Sequence, residues 1–228
     1  MGTYVAPVAG HAFHPVHVHI EPARADRNRL TVAFRLFLAL PHIILVGAPV
    51  AVTWTWSETT AGVTDHDWTM GGGVFGAVAF VCAVIAWFAI VFTGRYPEGL
   101  RSLATFYLRW RVRASAYAAL LRDEFPPLGD GPYPARLELA TVSSEHNRLS
   151  VAFRLILIIP QAIAVWALGL AWCLTTIVAW FAILLTGEYP EGLYRFGTGV
   201  LQWTTRVEAY LLLLHDEYPP FSFDHAAA

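Results

Sequence analysis

The chain holds 228 residues, 56% of them hydrophobic and only 14% charged, with a mean hydropathy of +0.49. Soluble domains carry about 25% charged residues, so this chain has too little charge to cover an ordinary aqueous surface. A formal charge of −2, with all fifteen basic residues Arg, argues against a nucleic-acid partner.

The first thirty residues are polar and rich in His, Pro and Arg, so no secretory signal is expected there. Residues 1–15 read as a His-rich tail. Val16-His17-Val18-His19-Ile20 then alternates with period two, which predicts a half-buried strand. A polar turn ends at Asn28-Arg29-Leu30, and two apolar runs follow, Thr31–Trp56 and Met70–Phe92, divided by polar 57–69. Each run exceeds the roughly 20 residues that span a bilayer.

The octet Thr-Gly-Arg-Tyr-Pro-Glu-Gly-Leu at 93–100 comes next. Gly94 suits the left-handed position that ends a helix. Tyr96 suits the headgroup level, and Pro97 and Glu98 suit the first turn of a new helix. The octet therefore predicts an elbow from a membrane-crossing helix to a membrane-parallel one. Leu100, Leu103, Tyr107, Trp110, Ala114, Tyr117 and Leu121 follow at spacings of three and four, an apolar stripe flanked by Arg101, Arg109, Arg111 and Arg113. A basic amphipathic helix of this kind lies on an anionic leaflet, packs on the hairpin, or forms a seam between subunits. Asp123-Glu124-Phe125-Pro126-Pro127 ends it, because proline cannot continue a helix.

From residue 135 the order of parts repeats. Ala135–Leu139 alternates, Asn147-Arg148-Leu149 closes a turn, and an apolar run extends from Ser150 to Leu185. The octet returns at 186–193 as Gly187, Glu188, Tyr189, Pro190 and Glu191 between Thr186 and Gly192-Leu193, and Asp216-Glu217-Tyr218-Pro219-Pro220 ends the last helix. Early positions match at an offset of 119 and later ones at 93, so the first copy carries an insertion of 26 residues around 54–79. The modules are 16–128 and 135–223. In the second, 36 apolar residues leave roughly 26 Å per helix for two passes turning at Gly169. A re-entrant hairpin is the alternative.

Arg residues fill the N-terminal part, the segment 93–149 and the region after Leu185, while both expected hairpin tips have none. The positive-inside bias places both termini in the cytoplasm, whether the hairpins span or re-enter. The fold expected is mainly α and membrane-embedded: two tandem repeats, each a short cytoplasmic strand, a transmembrane or re-entrant hairpin and a membrane-parallel amphipathic helix. They are parallel repeats about an axis along the membrane normal.

Asn-Arg-Leu-x-Val-Ala-Phe-Arg-Leu, the proline at 41 and 160, the octet and Asp-Glu-aromatic-Pro-Pro recur in both copies. With these motifs the chain resembles a bacterial, largely actinobacterial, membrane-protein family known only as a domain of unknown function. The resemblance covers almost the whole chain and implies a multi-pass plasma-membrane location, with no activity or catalytic residue.

Chemistry is sparse. Arg35 and Arg154 lie just inside apolar helices, where charge is costly. They either snorkel to phosphates, pair with Glu98 and Glu191, or line an ion or solute site. With Arg109, Arg113 and Arg206 they are the candidates for contact with lipid headgroups or an anion. His11, His14, His17 and His19 invite a metal, but Arg136 and Glu138 replace the last two in the second copy, so none is expected. Asp65-His66-Asp67 reads as a solvated loop, and Cys82 and Cys173 as small packing residues. No nucleophile elbow, phosphate loop or dinucleotide motif is present, so neither enzyme nor cofactor is expected. The expected function is a membrane scaffold or accessory subunit that organises lipids or partner proteins, as a homo-oligomer or beside another membrane protein. The alternative is a small oligomeric transporter or channel for an anionic solute.

Overall fold

The computed structural model describes residues 14–49, 59–60, 63–64, 72–129, 131–140 and 147–223. His11 and the Asp65-His66-Asp67 cluster lie outside them. The elements in chain order are β1 (Val16–Ile20), α1 (Arg29–Ala33), α2 (Arg35–Val46), β2 (Thr59–Thr60), β3 (Val63–Thr64), α3 (Gly73–Thr93), α4 (Glu98–Ala118), β4 (Ala135–Leu139), α5 (Arg148–Leu157), α6 (Ile159–Thr186) and α7 (Glu191–Leu211).

Repeated residues make repeated boundaries. The Asn28 side chain accepts from the Leu30 and Thr31 amides and caps α1, and Asn147 caps α5 by the same contacts to Leu149 and Ser150. Gly94 at φ 77° and Gly187 at φ 82° close α3 and α6 in the left-handed conformation. The Thr93 and Thr186 hydroxyls donate back to Ala89 and Ala182 and accept from the Arg95 and Glu188 amides, so each octet's first residue bridges helix and turn. Past α4, the Leu121 amide reaches the Ala116 carbonyl and Leu120 reaches Tyr117, a Schellman closure repeated at Leu213 and Leu214.

β1 and β4 pair antiparallel, with Val18 opposite Leu137 at the centre. Those two residues are counterparts in the repeat, so a pseudo-twofold axis passes between them. α4 and α7 are likewise antiparallel, since α4 ends against the second octet (Tyr189 to the Ala119 carbonyl, 3.5 Å) and α7 against the first (Tyr96 to the Leu212 carbonyl, 3.0 Å).

The expected hairpin in the second copy is absent. α6 runs unbroken from Ile159 to Thr186, and Gly169 is buried within it. A lone glycine costs a helix only about 1 kcal/mol, and hydrophobic packing along the helix outweighs that. The break falls instead at Ile158, just before Pro160 in the first turn of α6. Its counterpart Pro41 sits inside α2.

The octet also does more than bend the chain. Along α7, Arg154 lies over Tyr210, Gln161 accepts from Trp203 and the Trp172 indole abuts Gly197. Along α4, Arg35 lies over Tyr117, His42 accepts from Trp110 and Gly76 meets Tyr107. Both series run in reverse order, so the octet folds each apolar segment back along the amphipathic helix. The elbow is a reversal, not a right-angle turn.

The copies are interlocked. Trp87 of α3 donates to the Val151 carbonyl of α5, and Trp180 of α6 donates to the Val32 carbonyl of α1, both at 2.9 Å. One core joins Ala83 and Ile90 to Val151 and Leu212; the other joins Val32 and Leu120 to Trp172 and Ile183. Residues 16–128 and 135–223 are thus sequence repeats, not separately packed units. Outside these cores, Leu, Ile, Val and Phe side chains of α1, α2, α3, α5 and α6 stand exposed. α3 and α6 are each long and apolar enough to cross a membrane, and only 22% of the most apolar stretch of each is buried.

Candidate functional site

Arg35 and Arg154, the charged residues that the sequence places just inside apolar helices, are held by the residues that end α4 and α7. Arg154 is 1% exposed, and its Nη2 donates to the Asp216 carboxylate at 2.7 Å. Its Nη1 donates to the Tyr210 and His215 carbonyls, and its carbon lies 4.2 Å from the Tyr210 ring centre. The other Asp216 oxygen accepts the Asn147 amide at 2.8 Å. One aspartate therefore ties the start of α5 to the end of α7.

The first copy repeats this and adds a cation. Arg35 donates to Asp123 and lies 4.0 Å over Tyr117, while the second Asp123 oxygen accepts the Asn28 amide. Arg27 donates to the same carboxylate at 2.8 Å and to the Leu120 carbonyl at 2.6 Å. Burial lowers the Arg27 guanidinium below its usual value, and Asp123 works against that shift.

These contacts replace the expected pairs. Arg35 and Arg154 neither snorkel outward nor meet Glu98 and Glu191; Glu191 holds Arg24 at the surface. Arg113 is buried and donates to the Gly129 carbonyl, and Arg206 is buried with its Nε on the Val16 carbonyl. Arg109 alone of the five candidates is exposed. Tyr96 and Tyr189, expected at headgroup level, are buried. In β1, His17 faces Glu138 and His19 faces Arg136 across the ladder. Among the described residues no group of three or more His, Cys, Asp and Glu side chains comes together. His14 is buried instead, its ring edge-on to His215 at 4.9 Å.

Two further features are invisible in the sequence. Arg111 of α4 donates through Nε to both Glu208 oxygens of α7, at 2.7 and 2.8 Å, and through Nη1 to the Val46 carbonyl. Burial is the largest single influence and opposes the Arg111 charge, but Glu208 and Tyr107 together outweigh it and the guanidinium titrates above its usual value. The counterparts of this pair in the repeat are Thr204 and Ser115, so the clasp occurs on one side of the axis only. Beside it, a groove of about 570 Å³ opens between α3, α5 and the end of α7, with Tyr107, Arg111 and Glu208 at its floor.

Asp123 and Asp216 recur in step with Arg35 and Arg154, but so do Glu98 with Glu191 and Glu124 with Glu217, so recurrence alone does not select the aspartates. The clasp gives no such signal at all, because it appears once. No curated protein matches the chain, and neither does any solved structure. Both octets and both terminal aspartates lie within two stretches, 72–128 and 148–222, that match one family model, and by that match over more than half its length the chain belongs to the family described as a domain of unknown function (DUF4389).

Proposed function

We propose that this protein is a non-enzymatic membrane scaffold or accessory subunit, embedded through its apolar helix layer and presenting its strands and termini to the cytoplasm. The observation that carries this reading is the state of Arg35 and Arg154. A pore for an anionic solute needs both guanidiniums in one shared wet cavity. Each is 1% exposed, committed to its own aspartate and tyrosine, at opposite ends of the antiparallel α4–α7 pair. A buried cation already paired and hydrogen-bonded has little left to offer a passing anion.

The Arg distribution supports cytoplasmic termini. Of the two depths open to the apolar helices, the packing supports the re-entrant one. Gln161 near the start of α6 donates to the Pro219 carbonyl, and Gly187 at its end accepts from the Arg27 amide. One end of α6 is thus tied to the C-terminal segment and the other to the N-terminal one, both cytoplasmic by the Arg distribution, which favours an oblique helix in one leaflet over a crossing. Membrane lipids are the first partners. A second copy or another membrane protein is the next, recruited on the exposed apolar faces.

The test is reconstitution into liposomes with flux of chloride and phosphate recorded, alongside cross-linking in native membranes. The expected result is flux no greater than in empty vesicles, with a discrete cross-linked species. Saturable anion flux abolished by Arg154→Gln would replace the scaffold with the transporter.

A further inference from the structure

We propose that the groove between α3, α5 and the end of α7 binds a single acyl chain of a membrane phospholipid. The inference rests on the membrane reading above and names the ligand at one place on its surface. The walls are Phe80, Ala83 and Trp87 of α3 and Leu155 of α5, closed by Leu212. A volume of about 570 Å³ falls within the roughly 300–1,000 Å³ of small-molecule sites.

The groove is a side pocket of the face that meets lipid. Its lip residues Phe80, Phe88 and Leu155 are 43%, 52% and 62% exposed, and they continue into Val81 and Ile85 on the outer face of α3. Among the described residues no polar side chain interrupts that path. Any molecule entering sideways arrives through hydrocarbon.

The floor decides the chemistry. Arg111 is neutralised by Glu208, and Arg154, which also lines the groove, is neutralised by Asp216. Two cations with two anions leave no net charge to recruit an anionic headgroup or a carboxylate. The occupant is therefore the neutral chain, and the headgroup stays outside. A chain leaving bilayer for groove exchanges one apolar medium for another, so retention comes from close packing and not from the hydrophobic effect.

The experiment reconstitutes the full chain into phosphatidylcholine vesicles, verifies partition by flotation, extracts it in mild detergent and counts bound lipid by native mass spectrometry. Val84→Trp and Leu155→Trp both fill the groove from exposed lip positions and leave the core intact. Ile177→Trp, the counterpart of Val84 in the second copy, is the control. The expected result is one retained phospholipid in the parent and in Ile177→Trp, lost in the two groove variants. Flotation without retained lipid, or retention in all variants alike, overturns the groove while leaving the membrane reading intact. Failure to float overturns both. The same count on protein extracted directly from native membranes overturns the acyl assignment if an isoprenoid occupies the site.

Discussion

Asp123 receives two guanidiniums where Asp216 receives one, and that difference sets the cost of losing each. Removing one partner of a buried pair costs about 3–5 kcal/mol, because the other charge is left uncompensated. Asp123→Ala strands Arg27 and Arg35 together, whereas Asp216→Ala strands Arg154 alone. We expect both variants to be destabilised, Asp123→Ala the more, in denaturant unfolding of detergent-solubilised protein. Equal losses would mean that Arg27 contributes nothing. His215 adds a pH dependence. Burial, helped by His14 and Arg154, pushes its pKa down from 6.5 to about 3. The unfolded chain therefore takes up a proton below pH 6.5 that the folded chain refuses, and stability falls as pH drops from there toward 3. Other buried histidines such as His42 respond over the same range, so the difference between the parent and a His215 variant, read from pH 6.5 to 5, is what reports this residue. There the melting temperature of the parent should decline more steeply than that of His215→Leu, and parallel slopes would rule the histidine out.

Among the elements, the ones readable from sequence are those whose cause is local. The strands follow from alternation, the helix starts from Asn28 and Asn147, the helix ends from Gly94 and Gly187. The last pair makes a direct test. Alanine in the left-handed region costs roughly 1–2 kcal/mol, so Gly94→Ala and Gly187→Ala should each lower stability by about that much. At Gly94 the added methyl also meets the Arg148 guanidinium at 3.0 Å, a flexible group that can shift. A neutral result at both sites would mean that the turn adopts another conformation at little cost. What the sequence could not reveal depends on distant partners. Gly169 looked like a turn because nothing nearby marks it as packed. Arg35 looked like a headgroup ligand because its aspartate is 88 residues away. The exchange of Trp87 and Trp180 between copies and the groove beside α5 are tertiary facts with no periodicity to betray them.

At the scale of the whole molecule the question is depth. In sealed right-side-out vesicles, with Cys82 and Cys173 replaced by Ser, a cysteine placed at Ser57 reports whether the first apolar segment emerges on the far side. One-leaflet embedding predicts no labelling of Ser57→Cys by an impermeant reagent from outside, and labelling of Arg95→Cys only after the vesicles are opened. Outside labelling of Ser57→Cys in intact vesicles would make the first hairpin a true crossing. The pseudo-twofold axis has another consequence. Two separate, identical chains meeting across such an axis must make every off-axis contact twice. Joining them in one polypeptide lifts that obligation, and the clasp of Arg111 and Glu208, made once, is the sign that the freedom has been used. Each half lends the other its core, so neither can drift far in fold, but their inner faces can diverge. A fused pair of this kind can keep one half as framework while the other acquires a task.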